Sequence, residues 1–124
     1  MQTEEDFEIN FYEGILQKNP EHVDTLTILG DLYTKKGWIE KGLAVDQRLL
    51  RLRPEDPYVL YNLACSYSLL NNIDQAFKII KMAIAFGYKD FDYLRKDPDL
   101  VNLLADKRFQ EYWEERNPDG LYGS

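Results

Sequence analysis

The strongest constraint on this chain is a repetition: LGDLYTKKG, Leu29 to Gly37, returns 34 residues later as LACSYSLLN, Leu63 to Asn71. Leu29 aligns with Leu63, Gly30 with Ala64 and Tyr33 with Tyr67. The same offset relates Ile15-Leu16 before Pro20 to Leu49-Leu50 before Pro54. Inside each copy the apolar residues recur at helical spacing: Leu26, Leu29, Gly30 and Tyr33, then Leu60, Leu63, Ala64 and Tyr67. Gly37 breaks the first stripe, since glycine tolerates positive φ, and Asn71-Asn72 breaks the second. New stripes begin at Ile39 and Ile73. A fixed period of helix pairs predicts an all-α solenoid, in which each unit buries its apolar face only against its neighbours.

Gly30, Gly42, Ala64 and Ala76 are small where paired helices should approach most closely, with Leu, Tyr and Ile around them. These residues resemble the tetratricopeptide repeat (TPR) family, whose pattern has a large residue, Leu-Gly, Tyr, a small residue, an aromatic and a proline. The first full copy carries Leu26, Leu29-Gly30, Tyr33, Gly42 and Pro54, and departs at Asp46, where an aromatic is usual. The second carries Leu60, Leu63-Ala64, Tyr67, Ala76 and Ile80, and departs at Tyr88, where the proline is expected. The resemblance covers residues 5–90 and implies an α-α superhelix of antiparallel helix pairs. We expect one domain over 1–116: the second helix of a partial repeat at 4–20, full repeats at 23–56 and 57–90, and short capping helices at 91–116. Residues 117–124 read as a flexible tail.

The third segment breaks the period. Asp90, Asp97 and Asp106 are candidate N-caps there, and Pro98 suits a first helical position. Leu100, Leu103, Leu104, Phe109 and Trp113 have the bulk to cover the last apolar face of an array. DPDL followed by RF also resembles the endings of bacterial TPR proteins.

Charge narrows the partners. The net charge is −7, from 15 Lys and Arg against 22 Asp and Glu, and nucleic-acid binding needs cations to replace counterions, so we expect no nucleic-acid partner. Arg48, Arg51 and Arg53 fall at a helix end, where they suit the helix dipole. No run approaches the ~18 apolar residues of a membrane span, so no membrane insertion is expected. The acidic start MQTEEDFEIN does not read as a secretory signal, and Cys65 has no second cysteine to pair with. A cytoplasmic location follows as the expectation.

Catalytic and metal motifs are scarce. His22 is a lone histidine without ligand partners, and Cys65 has no cationic neighbour to activate it. Asp90, Asp92, Asp97 and Asp99 fail as a calcium loop, because Arg95 and Val101 stand where Gly and Glu are needed. No phosphate loop or nucleophile elbow is present. We therefore expect a chain with no cofactor, no metal and no enzymatic activity.

The interaction surface is the first helix of each pair, on the side away from the Leu-Tyr stripe. That face holds Asp24, Thr27, Asp31, Thr34 and Lys35 in the first copy. In the second it holds Tyr58, Tyr61, Asn62, Cys65, Ser68 and Leu69. Tyrosines beside Asn and Ser form an amphipathic patch of the kind enriched at interfaces, unless Tyr58 or Tyr61 packs on the neighbouring helix. One TPR subfamily grips the C-terminal carboxylate of heat-shock chaperones. Asn62 matches that clamp and Lys96 supplies a similar charge, but Thr27, Asp31 and Asp92 replace its Lys, Asn and Lys. An acid at Asp31 repels a carboxylate, so a neutral or basic segment is the expected ligand. Along the first helix, Phe7, Phe11 and Ile15 form one stripe and Ile9, Tyr12 and Leu16 another, wider together than one packing face needs. The spare stripe predicts a homodimer or partner contact. The resulting expectation is an adaptor that binds a peptide or helix in its groove, with self-assembly through the first helix and an enzyme using groove acids as the rivals.

Overall fold

Every regular element among the described residues, 2–117 in the computed structural model, is a helix. The tail expected at 117–124 lies, Asn117 apart, outside them. α1 (Glu4–Lys18) opens on a reciprocal cap: the Thr3 hydroxyl accepts from the Asp6 N–H, and the Asp6 carboxylate accepts from the Thr3 N–H. α2 (Val23–Lys35) starts at His22, whose Nδ1 accepts from the Thr25 N–H at 3.3 Å. The lone histidine is therefore a helix cap. α3 (Ile39–Leu52) follows, then α4 (Pro57–Leu69), capped by Asp56 and started by a proline, then α5 (Ile73–Ala85).

The repetition in the letters is a repetition in geometry. The first residues of α2 and α4 lie 34 positions apart, as do those of α3 and α5. Both intra-pair turns close through the same bond, Trp38 N–H to the Tyr33 carbonyl and Asn72 N–H to the Tyr67 carbonyl, each 2.8 Å. Each turn passes through the left-handed region, at Gly37 (φ 85°) and Asn71 (φ 59°). Glycine has no Cβ penalty there, and Asn is the residue that best substitutes for it. The tyrosine hydroxyls repeat as well. Tyr33 donates to Glu13 at 2.5 Å, and Gln47 donates to the Tyr67 oxygen at 3.2 Å, each partner lying 20 residues earlier.

Packing explains the small residues. A Cβ on Gly42 would sit 3.1 Å from the Thr34 hydroxyl oxygen and 3.5 Å from the Gly30 carbonyl oxygen. A Cβ on Gly30 would meet an Asp46 carboxylate oxygen at 3.0 Å. In the second pair Ala64 and Ala76 are fully buried. Ile9, Leu26, Leu29, Val45 and Leu49 form the core of the first part, and Leu60, Leu63, Ile80 and Ala83 that of the second, with Leu50 packed against both.

The last elements are α6 (Phe91–Lys96), a 3-10 turn (Pro98–Leu100), α7 (Val101–Leu104) and α8 (Lys107–Arg116). Asp90, Asp97 and Asp106 each cap one of them, accepting from the N–H groups of Tyr93, Asp99 and Arg108. Leu94, Leu100, Leu103 and Phe109 are buried in the α4–α5 core. The Arg108 guanidinium meets Asp74 of α5 at 2.7 Å. At the opposite end α1 lays Ile9, Tyr12 and Leu16 on α2. Phe7 and Phe11 stay 67% and 57% exposed, while Ile15 is half-buried.

Ala64 gives a direct test of this packing. Ala64→Leu should overfill the α4–α5 contact and cost ~1–3 kcal/mol, lowering the thermal midpoint by several degrees. An unchanged midpoint in calorimetry would contradict the helix register.

Candidate functional site

A cleft of about 400 Å³ runs between α2, α4 and the segment that follows α5. α2 contributes Thr27, Asp31 and Thr34, and α4 contributes Tyr58, Tyr61, Asn62 and Cys65. Seven of the eleven sequence-predicted groove residues thus meet in one cavity. Asp24, Lys35, Ser68 and Leu69 do not line it. Asp24 and Lys35 are exposed elsewhere on α2, and Leu69 is half-buried near the end of α4. Ser68 is fully buried: its hydroxyl accepts from the Leu103 N–H at 3.2 Å and its carbonyl from Asn102 at 3.0 Å. The capping segment covers this part of the α4 face, which the repeat pattern alone leaves open.

The two tyrosines separate in the same way. Tyr58 stands 65% exposed at the rim. Tyr61 is buried, stacked on Tyr88 with ring centroids 4.4 Å apart and planes 3° from parallel. Tyr58 meets the Tyr88 edge at 5.8 Å and Tyr93 meets Tyr61 at 6.1 Å, so four rings form a continuous aromatic wall. The Tyr61 hydroxyl donates to the Asp97 carboxylate at 2.6 Å, and the Cys65 thiol approaches the same oxygen at 3.7 Å. The other Asp97 oxygen accepts from the Asp99 N–H at 2.9 Å. Burial, together with the Asp97 charge, pushes both the Tyr61 phenol and the Cys65 thiol far up, so both stay protonated at neutral pH. A thiol held this way is a poor nucleophile.

Asp46 sits deeper. It is 5% exposed, lies against Gly30, and accepts from the Ser66 hydroxyl at 2.8 Å. Burial raises its carboxyl to about 6; the Ser66 bond works against this and the Asp31 charge adds to it. Asp31, Asp56, Asp90, Asp97 and Asp99 complete a set of six cleft aspartates. The ion pairs formed among the described residues all involve other acids: Asp6, Glu13, Asp74, Asp92, Asp106 and Glu111. Chemically, the site offers hydrogen-bond acceptors, negative charge and phenol rings.

Sequence reasoning misses Asp46, Tyr88, Tyr93 and the second role of Asp97. Asp46 and Tyr88 are visible there only as the two departures from the repeat, which is the signal that marks them. Asp97 shows in sequence as a cap, and its contact with Tyr61 spans 36 residues.

No protein-family model matches the chain. It is 35% identical over 80 residues to a chloroplastic protein of Arabidopsis thaliana, a match covering 62% of this chain and 24% of that protein. The chain thus spans about a quarter of its relative's length.

Asp46 predicts a pH effect. The folded state holds this proton more tightly than the unfolded chain, whose aspartates titrate near 3.8. The stability it supplies is complete below that value and is lost as the pH rises through about 6. Asp46→Asn should therefore gain about 1.4 kcal/mol over wild type between pH 5 and pH 8 in parallel denaturant titrations. A constant difference between the two proteins across that range would refute the assignment.

Proposed function

We propose that this chain is a TPR-type superhelix acting as a non-catalytic protein-binding module, which holds a peptide or helical segment of a partner in the cleft between α2 and α4. The observation that carries the reading is the composition of the cleft wall: an exposed Tyr58 and Tyr93 beside the exposed polar residues Asn62 and Asp31, on elements whose other faces are locked into the core. Rigid rings with polar tips on a preformed surface suit side-chain recognition. The repeated turns and the repeated tyrosine contacts support the superhelical reading. Protonated Cys65 and Tyr61 support a binding role over nucleophilic chemistry. A cytoplasmic setting belongs to the same proposal, supported by the single cysteine; the relative's name places that protein in the chloroplast.

Peptide-display selection on the full chain tests the module. The tightest selected peptide should lose at least about tenfold in affinity to the Tyr58→Ala, Asn62→Ala variant, the loss of more than 1 kcal/mol that marks an interface anchor. Both side chains are exposed, so helicity should not change. Tyr61→Ala is unsuitable for this purpose, because Tyr61 is part of the core. Selected peptides that bind wild type and variant equally would overturn the cleft assignment.

The exposure of Phe7 and Phe11 on successive turns of α1 favours a second reading, self-association through that face. Sedimentation should then show a concentration-dependent dimer that Phe7→Asp, Phe11→Asp abolishes. A wild-type monomer at high concentration would eliminate it.

A further inference from the structure

We infer that the cleft anchors its partner through a cationic side chain, a lysine ammonium or an arginine guanidinium, seated against the Tyr58 and Tyr93 rings in the cleft that Asp31, Asp97 and Asp99 line. This deepens the module reading and rests on it.

The first support is charge without a counter-charge. Asp46 and Asp97 are 5% and 6% exposed, face the cleft, and among the described residues hydrogen-bond to neutral groups only. A buried carboxylate without a cation is costly. The ion pairs formed among the described residues go to other acids, and none of them reaches a cleft aspartate.

The second support is negative charge brought to one cleft by separate elements. Asp31 projects from α2, while Asp97 and Asp99 come from the 3-10 turn beyond α6, yet they act on common neighbours. Burial and the charges of Asp97 and Asp31 raise the Asp99 carboxyl. The Asp97 charge, with Asp99 and Asp31 contributing less, raises the Tyr93 phenol. The three carboxylates line one cleft from different elements, so a cation entering it meets negative charge from each of them.

The third support is the rings. Tyr58 and Tyr93 are 65% and 54% exposed, and they flank the buried Tyr61–Tyr88 stack. A phenol face attracts an ammonium or guanidinium, and the attraction strengthens as the cation is desolvated. Size then separates an organic cation from a metal ion. Among the described residues no three His, Cys, Asp or Glu side chains are close enough together to hold a metal. A guanidinium or ammonium on a long stem can instead reach carboxylates spread across a cleft of about 400 Å³.

The test uses ¹⁵N-labelled full chain titrated with three probes: the N-acetyl methylamides of lysine, arginine and norleucine. The two cationic probes should shift the amide resonances of Asp31, Tyr93 and Asp99, saturating on the order of millimolar, as a single contact implies. The shifts should weaken in high salt, and norleucine should leave these amides in place. Asp31→Asn, Asp99→Asn should keep the wild-type spectrum elsewhere and lose at least tenfold in affinity for the cationic probes. Equal shifts from norleucine, or none from lysine and arginine, would overturn the inference. A cleft-binding peptide that keeps its affinity after every Lys and Arg is changed to norleucine would also overturn it, while leaving the module reading intact. Failure to select any cleft-binding peptide would instead remove the module reading.

Discussion

How closely α2 and α3 pass one another governs the rest of the molecule. At Gly30 and Gly42 the two helices come near enough that one methyl group would press on a neighbouring side chain, Asp46 at Gly30 and Thr34 at Gly42. That proximity lets Tyr33 and Leu29 bury themselves, and it places the Asp46 carboxylate against the bare backbone of Gly30. A larger residue at Gly30 would displace the carboxylate before it disturbed the apolar core. The same step, repeated with Ala64 and Ala76, sets α4 and α5 and so fixes where the cleft wall stands.

The capping segment does two jobs with one set of residues. Leu94, Leu100, Leu103 and Phe109 remove the apolar face left by α4 and α5 from water. The loop and turn that deliver them also bring Tyr88, Tyr93, Asp97 and Asp99 to the cleft. The cleft wall is therefore shared between a repeated part, α2 and α4, and a part without repetition. The repeated part supplies the scaffold, and the unrepeated part supplies three of the six cleft aspartates and half of the aromatic wall.

This division explains what can be read from the letters. Leu29, Tyr33, Gly37 and the caps at Asp90, Asp97 and Asp106 obey rules of local spacing, and each stands in the structure as those rules require. Thr27, Asp31, Tyr58 and Asn62 are legible because a helical face is also a matter of spacing. Ser68 reads as open surface because periodicity does not know that Asn102 and Leu103 will fold over it. Tyr61 belongs to the wall and the core together, since Tyr88 replaces the proline that ends the earlier unit. Asp46 and Tyr88 break the pattern in sequence, and both are cleft residues.

Asp97 has a further consequence. One carboxylate closes the 3-10 turn, accepts the Tyr61 hydroxyl and faces the cleft. Under the proposed binding role, a ligand that drew on its charge from the cleft side would alter its hold on Tyr61 and on the turn, and occupancy of the cleft would then be coupled to docking of the C-terminal helices. Such coupling is reciprocal. A partner that tightens the cap when it binds must bind less well to a chain whose cap is loosened, for example by loss of the Arg108–Asp74 contact on the far side of α5. The C-terminal segment would in that sense be a second input to the site, beyond covering the apolar face of α4 and α5.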